Sequence, residues 1–159
     1  TVHSNWDVAD GGACDALADT LGLDVESFLD PETGLGRICH GDLSLEELIE
    51  RTRALNPDTL RIVNPREHVD RVAVVSGFGL SDKSLLMRAW SEGVQVYLSG
   101  DLTHGPAILG RNMDLTLIDA GHHATEMPGL IRLREVIEDF GVRAELWDTG
   151  TPWSEYRLV

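Results

Sequence analysis

Lysine is almost missing from this sequence. Lys83 stands alone beside twelve arginines, and 27 acidic residues leave a formal net charge of −14 over 159 residues. A surface this acidic repels nucleic acid and anionic lipid, which excludes a free DNA- or RNA-binding role and argues against a membrane partner. Cysteine is nearly as scarce. Cys14 and Cys39 share no CxxC spacing, so neither a disulfide framework nor a zinc ribbon is indicated. No apolar run is long enough to span a bilayer and no secretory leader opens the chain, so a cytoplasmic protein is expected. With one lysine, no paired cysteines and no defensible Ser/His/Asp order, covalent catalysis ranks low.

What is present fits one α/β domain over residues 1–159. A hydrophobic share of 42% is enough to bury a core at this length. Helix is expected from Ala13 to Leu21, stopped by Gly22, and from Ser44, which opens a capping box with Glu47, to about Leu55. Asn56-Pro57 ends that helix. Further helices are expected from Lys83 to Ser91, Pro106 to Arg111 and Met127 to Phe140. Strands are expected at 34–39, 60–63, 71–75, 94–98, 115–120 and 143–147, with an acidic turn at 24–33. The alternation predicts a mixed, mostly parallel sheet flanked by helices, with ligands at the carboxyl ends of strands.

Two clusters carry chemistry. The run Leu115–Ala120 leads into Gly121-His122-His123-Ala124-Thr125-Glu126, and Thr1-Val2-His3 reads as a strand tail delivering Asp7 to a loop closed by Gly11-Gly12. Pro128 is expected in the first turn of the last helix, which places His122 and Glu126 across a turn rather than on one helical face. Glu126 is then either a carboxylate favoured at a helix N-terminus or a ligand. Asp7 is either ordinary turn chemistry or a ligand. His3 is a candidate outer ligand or proton relay. Asp101 and His104 follow a strand and reach the same sheet edge, as substrate-facing or supporting groups, or as a loop capping the next helix. Gly77-Phe-Gly79 lacks the lysine and spacing of a phosphate loop and reads as a permissive turn, although Ser76, Ser81 and Ser84 are available to a phosphate.

At these residues the chain resembles the ring-forming, dinuclear-metal-centre family of type 2 GTP cyclohydrolase I homologs. The matching stretches are His3–Asp7, Gly11–Ala18, Gly34–Arg37, Val96–His104 and Ile118–Glu126, in the family's order. The resemblance implies that Asp7 bridges two metal ions and that His122 and Glu126 ligate them, with His123 packing or supporting. It also implies a homo-oligomer, hexameric in the family. Family members carry a His-His-Pro triplet upstream of the segment that matches residue 1, and this sequence has none. The chain is therefore expected to correspond to the later, larger part of a family member and to supply only part of the coordination shell. Weak or partial metal occupancy follows. So does association with further copies or with a separate upstream segment, for which Trp6, Trp90, Trp147 and Trp153 are candidate surface residues, a buried core position being the commoner home for each.

Imidazole and carboxylate ligands suit Zn²⁺, Fe²⁺, Mn²⁺ or Co²⁺. Two such ions held roughly 3.5–4 Å apart activate water for hydrolysis. Two functions are open at this point: a metal-dependent hydrolase acting on a small nucleotide-like or pterin-precursor molecule, and a non-enzymatic metal-handling or regulatory scaffold protein.

Overall fold

The computed structural model describes residues 1–154, and six strands form one sheet. In chain order the elements are α1 (Ser4–Asp7), α2 (Ala13–Thr20), β1 (Asp24–Asp30), β2 (Leu35–Ser44), α3 (Leu45–Thr52), β3 (Arg61–Val63), β4 (His68–Val74), α4 (Lys83–Ser91), β5 (Val96–Ser99), α5 (His104–Asn112), β6 (Thr116–Asp119) and α6 (His122–Asp139). The sheet order is β1-β2-β4-β5-β6-β3. Only β4–β5 and β5–β6 pair in parallel; β1–β2, β2–β4 and β3–β6 are antiparallel. The mixed α/β class is as expected, but the parallel pairings are the minority and form the centre. The β1–β2 hairpin requires antiparallel pairing and α4 and α5 are the crossovers that permit parallel pairing, whereas β2–β4 and β3–β6 pair antiparallel across long stretches of chain.

The central strands are buried on both faces, and their period-two alternation splits the core. Val72, Val74, Val96, Leu98 and Ile118 face α2, α3 and the start of α6. Ala73, Val75, Tyr97 and Leu117 face α4 and α5. The capping box is present: Ser44 Oγ accepts from Glu47 N at 3.2 Å, and Glu47 Oε2 accepts from Ser44 N at 2.7 Å.

Several expected elements differ. Residues 24–30 form strand β1 rather than a turn; as an edge strand it buries little beyond Leu29, so its acidic residues hide it. Residues 1–3 join no strand, and Asp7 ends the single turn α1. Residues 143–147 are coil, since β3 already occupies the sheet edge beside β6. The last helix starts at His122 and keeps Pro128 inside it. Proline forfeits one backbone bond there. The preceding turn is secured by Thr125, whose hydroxyl donates to Gly121 O at 2.9 Å and accepts from Gly77 N at 3.0 Å. Further along, Gly129 packs against α2, where a Cβ would lie 2.5 Å from the Ala13 Cβ. Tertiary contacts thus outweigh the local preference.

Candidate metal centre

The loops after the three parallel strands meet at one sheet edge. Ser76-Gly77 follows β4, Gly100-Asp101 follows β5, and Gly121-His122 follows β6. Gly100 N donates to Gly77 O at 2.8 Å, which fastens the first loop to the second. Gly77 has a φ of +71°, and a Cβ there would lie 2.6 Å from Glu126 Oε1 and 3.1 Å from His122 Nε2. The absence of a side chain is what lets the imidazole and the carboxylate approach this turn. On its other side, Ser76 Oγ donates to Asp7 Oδ1 at 3.3 Å. Asp7, His122 and Glu126 are therefore gathered around Ser76-Gly77, although Asp7 comes from α1 and Glu126 from one turn into α6 rather than from strand ends.

His122 sits between two carboxylates. Its Nδ1 is 2.7 Å from Asp101 Oδ2 and its Nε2 is 3.1 Å from Glu126 Oε1. A neutral imidazole has one N–H, so it cannot donate to both. Either an imidazolium or a cation taken up by Nε2 and Glu126 resolves the conflict. Burial pulls this imidazole down, but the Asp101 hydrogen bond and the charges of Glu126 and Asp101 outweigh it and leave the net shift upward. Burial pushes the half-buried Asp7 carboxyl up, against the pull of Ser76, His3 and His122. Imidazole and carboxylate are ligand types that suit a borderline or hard divalent ion, although among the described residues Asp7, His122 and Glu126 do not bring three ligand atoms within 4.8 Å of one another. Asp101 adopts a left-handed backbone, φ +64°, which aims its carboxylate at His122.

The other expected residues divide. His3 is exposed, pairs with Ser4 Oγ at 3.0 Å, and lines a small cavity of about 120 Å³ with Asp7 and Glu126. His104 opens α5, exposed, and lines neither cavity. His123 Nε2 is 2.8 Å from Asp148 Oδ1, and Thr151 donates to Asp58 at 2.8 Å. These contacts hold the C-terminal coil along a cleft of about 800 Å³ that is also lined by Arg61, Asp101, His122 and Glu126. The serines available to a phosphate are engaged elsewhere: Ser76 with Asp7, Ser81 with Phe78 O, and Ser84 with Asp82. Trp90, Trp147 and Trp153 are exposed, whereas Trp6 is half-buried and donates to Gly129 O at 2.9 Å.

A second group has no counterpart among the sequence motifs. Among the described residues, Asp42, His68 and Asp70 bring three potential ligand atoms within 4.8 Å of one another, all exposed. The period-two spacing of His68 and Asp70 on β4 was the available signal; Asp42 arrives from a bulge in β2 that no pattern announces. Also among the described residues, no helix is long and apolar enough to cross a membrane.

Residues 1–150 match the model of the family described as Duf34/NIF3 (NGG1p interacting factor 3). A "GTP cyclohydrolase 1 type 2 homolog" of Methanothermobacter thermautotrophicus is 88% identical over the whole chain, which covers 68% of that relative. One of the same name from Methanocaldococcus jannaschii is 37% identical over 86% of the chain and 56% of its own length. Reduced HcgD from Methanocaldococcus jannaschii shares the fold with a TM-score of 0.77 at 35% identity, over 87% of this chain and 55% of that one. Protein ybgI, a structure of unknown function, gives 0.83 at 25% identity, over 95% and 61%. The chain thus spans between about half and two thirds of these relatives. The motif resemblance and the mixed α/β fold agree with these matches, and the chain belongs to the DUF34/NIF3 family.

Proposed function

We propose that Asp7, His122 and Glu126 are this chain's contribution to a divalent-metal centre, dinuclear in the assembled protein, that serves hydrolysis of a small nucleotide-like molecule. The observation that carries the reading is the imidazole of His122, whose two nitrogens both face carboxylates at 2.7 and 3.1 Å. A divalent ion there supplies Lewis acidity and activates water. The chain's own part is to fix the His122 tautomer through Asp101, to keep Asp7 in place through Ser76, and to offer the neighbouring cleft to a ligand. The name shared by the relatives supports the hydrolase class and makes GTP the first substrate to try.

The exposure of the site favours a second reading. His122, Asp101 and Glu126 are each 38–39% exposed, which suits exchange of metal with solvent and hence a metal-handling or scaffold role. Elemental analysis and Zn²⁺, Fe²⁺, Mn²⁺ and Co²⁺ titrations of the purified chain, followed by a GTP turnover assay, separate the two. Metal binding with turnover supports the hydrolase, metal binding without it supports metal handling, and no binding at His122 ends both.

We also propose that the chain works as a homo-oligomer or with a separate upstream segment. Exposed apolar side chains support this: Leu130 and Ile131 on α6, then Phe140, Val142, Trp147 and Trp153. Sedimentation across salt concentrations tests it, since screening of the acidic surface should favour association. A monomer under every condition would sink the homo-oligomer.

A further inference from the structure

Asp101 and His122 follow different strands, and one arginine outside the ligand set touches both of the loops that carry them. The antiparallel pairing of β3 with β6 sets Arg61 directly opposite Asp119. Arg61 Nε donates to Asp119 Oδ2 at 2.8 Å, and Nη2 bonds the same oxygen. Nη2 also donates to Leu102 O at 2.9 Å, the residue after Asp101. Asp119 is 3% exposed, and its other oxygen accepts from Gly121 N at 3.0 Å, the residue before His122. One guanidinium therefore ties the β5 loop that carries Asp101 to the β6 loop that carries His122. The β5–β6 ladder joins the two strands as far as the bond from Ala120 N to Ser99 O at 2.9 Å; beyond it, the side-chain bond between the two loops among the described residues is the one between Asp101 and His122.

We propose that Arg61 and Asp119 are positioning residues for His122. Beyond the end of the β5–β6 ladder, their fork holds the two loops in the orientation that lets Asp101 grip Nδ1 and leaves Nε2 directed at Glu126. The planar, multi-donor guanidinium is suited to this, because it bonds a carboxylate and a carbonyl at once, whereas an ammonium on a flexible stem does not fix their relative geometry. The inference rests on the metal reading for its consequence, but the grip on His122 is observable without metal.

The test uses the full chain. R61M alone strands a buried carboxylate and is expected to lose stability. The informative variant is R61M/D119N, which removes the buried charge while the amide oxygen at position 119 can still accept from Gly121 N. Two readouts distinguish positioning from mere stability: the hydrogen-bonded Nδ1–H signal of His122 in ¹⁵N-edited NMR of the metal-free chain, and the Kd for Zn²⁺. R61M/D119N is expected to melt near the wild-type temperature, to lose or broaden the His122 signal, and to bind Zn²⁺ about tenfold or more weakly, the scale on which supporting groups act. R61K is expected to fold and to fall between the two on both readouts. If R61M/D119N folds and keeps the signal and the affinity, the proposal is overturned. If it does not fold, R61K decides: an unchanged signal and affinity overturn it, and a partial loss of both supports it. If H122A binds Zn²⁺ as tightly as wild type, the metal reading falls, while the His122 signal in R61M/D119N still judges the positioning role.

Discussion

An imidazole faces carboxylates near each end of β4, His68 on the strand itself and His122 from the start of α6, and the two are not alike. At the start of the strand, His68 Nε2 lies 2.8 Å from Asp70 Oδ1 and 3.7 Å from Asp42 Oδ1, with the three side chains 53–76% exposed. Beyond its other end, His122 is held at both nitrogens, in a half-buried setting. Counted by ligand atoms the first group is the tighter, because three of its atoms fall within 4.8 Å of one another. Counted by support it is the poorer: Gln95 Nε2 donates to Asp70 Oδ2 at 3.4 Å, but among the described residues no bond fixes the second nitrogen of His68. At the far end, Asp101, Ser76, Gly77 and Thr125 each constrain a ligand or the turn that it packs on. Proximity of ligand types is cheap on an acidic surface, whereas orientation requires a scaffold.

The largest expected effect breaks that scaffold without touching a ligand. Arg37 is buried at 2% exposure, forks onto Asp15 at 2.6 and 2.7 Å, and donates to the carbonyls of Gly34, Gly36 and Ala9. Its guanidinium also lies 4.4 Å from the Phe28 ring. Asp15 in turn accepts from Gly11 N at 2.8 Å, so this pair braces the loop after Asp7. Arg37→Met leaves Asp15 without its partner and should cost about 3–5 kcal/mol in urea unfolding. The exposed Arg53–Glu50 pair is the control, and Arg53→Ala should stay within about 0.5 kcal/mol. Equal losses would mean that burial is not what gives the Arg37 pair its weight.

Next in size is the contrast between the histidines themselves. His122→Ala should weaken divalent-ion binding by at least about 10–100-fold, the scale at which even supporting groups act. His68→Ala should leave the strongest binding step unchanged. Reversed outcomes would move the metal centre to the other end of β4.

The unequal legibility of the two ends follows from the same physics. The places of Asp101 and His122 were legible because a glycine or a polar loop follows an apolar run, a pattern that marks strand ends without any knowledge of the sheet. Asp7 was placed by a supposed strand tail at residues 1–3 that does not form, since it ends the helical turn α1. The helical register of His122 and Glu126 was not readable: Pro128 argues locally for a later start, and only the contacts of Thr125 with Gly77 and of Gly129 with α2 overrule it. Strand β1 was hidden by its acidic edge. The Arg61–Asp119 tie and the Asp42–His68–Asp70 group depend on pairing registers between separate strands, which no single-chain spacing encodes. The balance of parallel and antiparallel pairing was missed because alternation of elements gives their order but not which strands become neighbours.

A smaller effect isolates the space at the Ser76-Gly77 turn. Gly77 and Gly93 have nearly the same positive φ, +71° and +73°, so alanine should strain either backbone by about 1–2 kcal/mol. Their surroundings differ. A Cβ at Gly77 meets Glu126 Oε1 at 2.6 Å, whereas at Gly93 the nearest atom is the Arg71 guanidinium at 3.8 Å. Both variants should lose similar stability, and only Gly77→Ala should also weaken metal binding. Equal affinity in the two would show that Glu126 does not need that space.

The smallest effect is the pH dependence of the metal-free chain. Asp7 and His122 both have folded-state pKa values above their ordinary ones, Asp7 through burial and His122 because burial is outweighed by its carboxylate neighbours. For a raised pKa, the stabilising contribution is complete below the unfolded value and is lost as pH climbs through the folded one. Asp7 should therefore withdraw its share just above the ordinary carboxyl range, and His122 just above the ordinary imidazole range. The half-exposed His122 pair is screened, so its share is small. Urea midpoints measured against pH should decline slightly through the upper window. In the lower one Glu47, Asp82 and Asp148, whose values are lowered, act in the opposite sense, so the Asp7 share is read as the difference between wild type and Asp7→Asn. His122→Gln should flatten the upper decline, while a wild-type midpoint that rises from pH 6 to 8 would contradict the His122 assignment. Divalent ions should reverse the upper trend, because they compete with the proton for Nε2 and gain as it leaves.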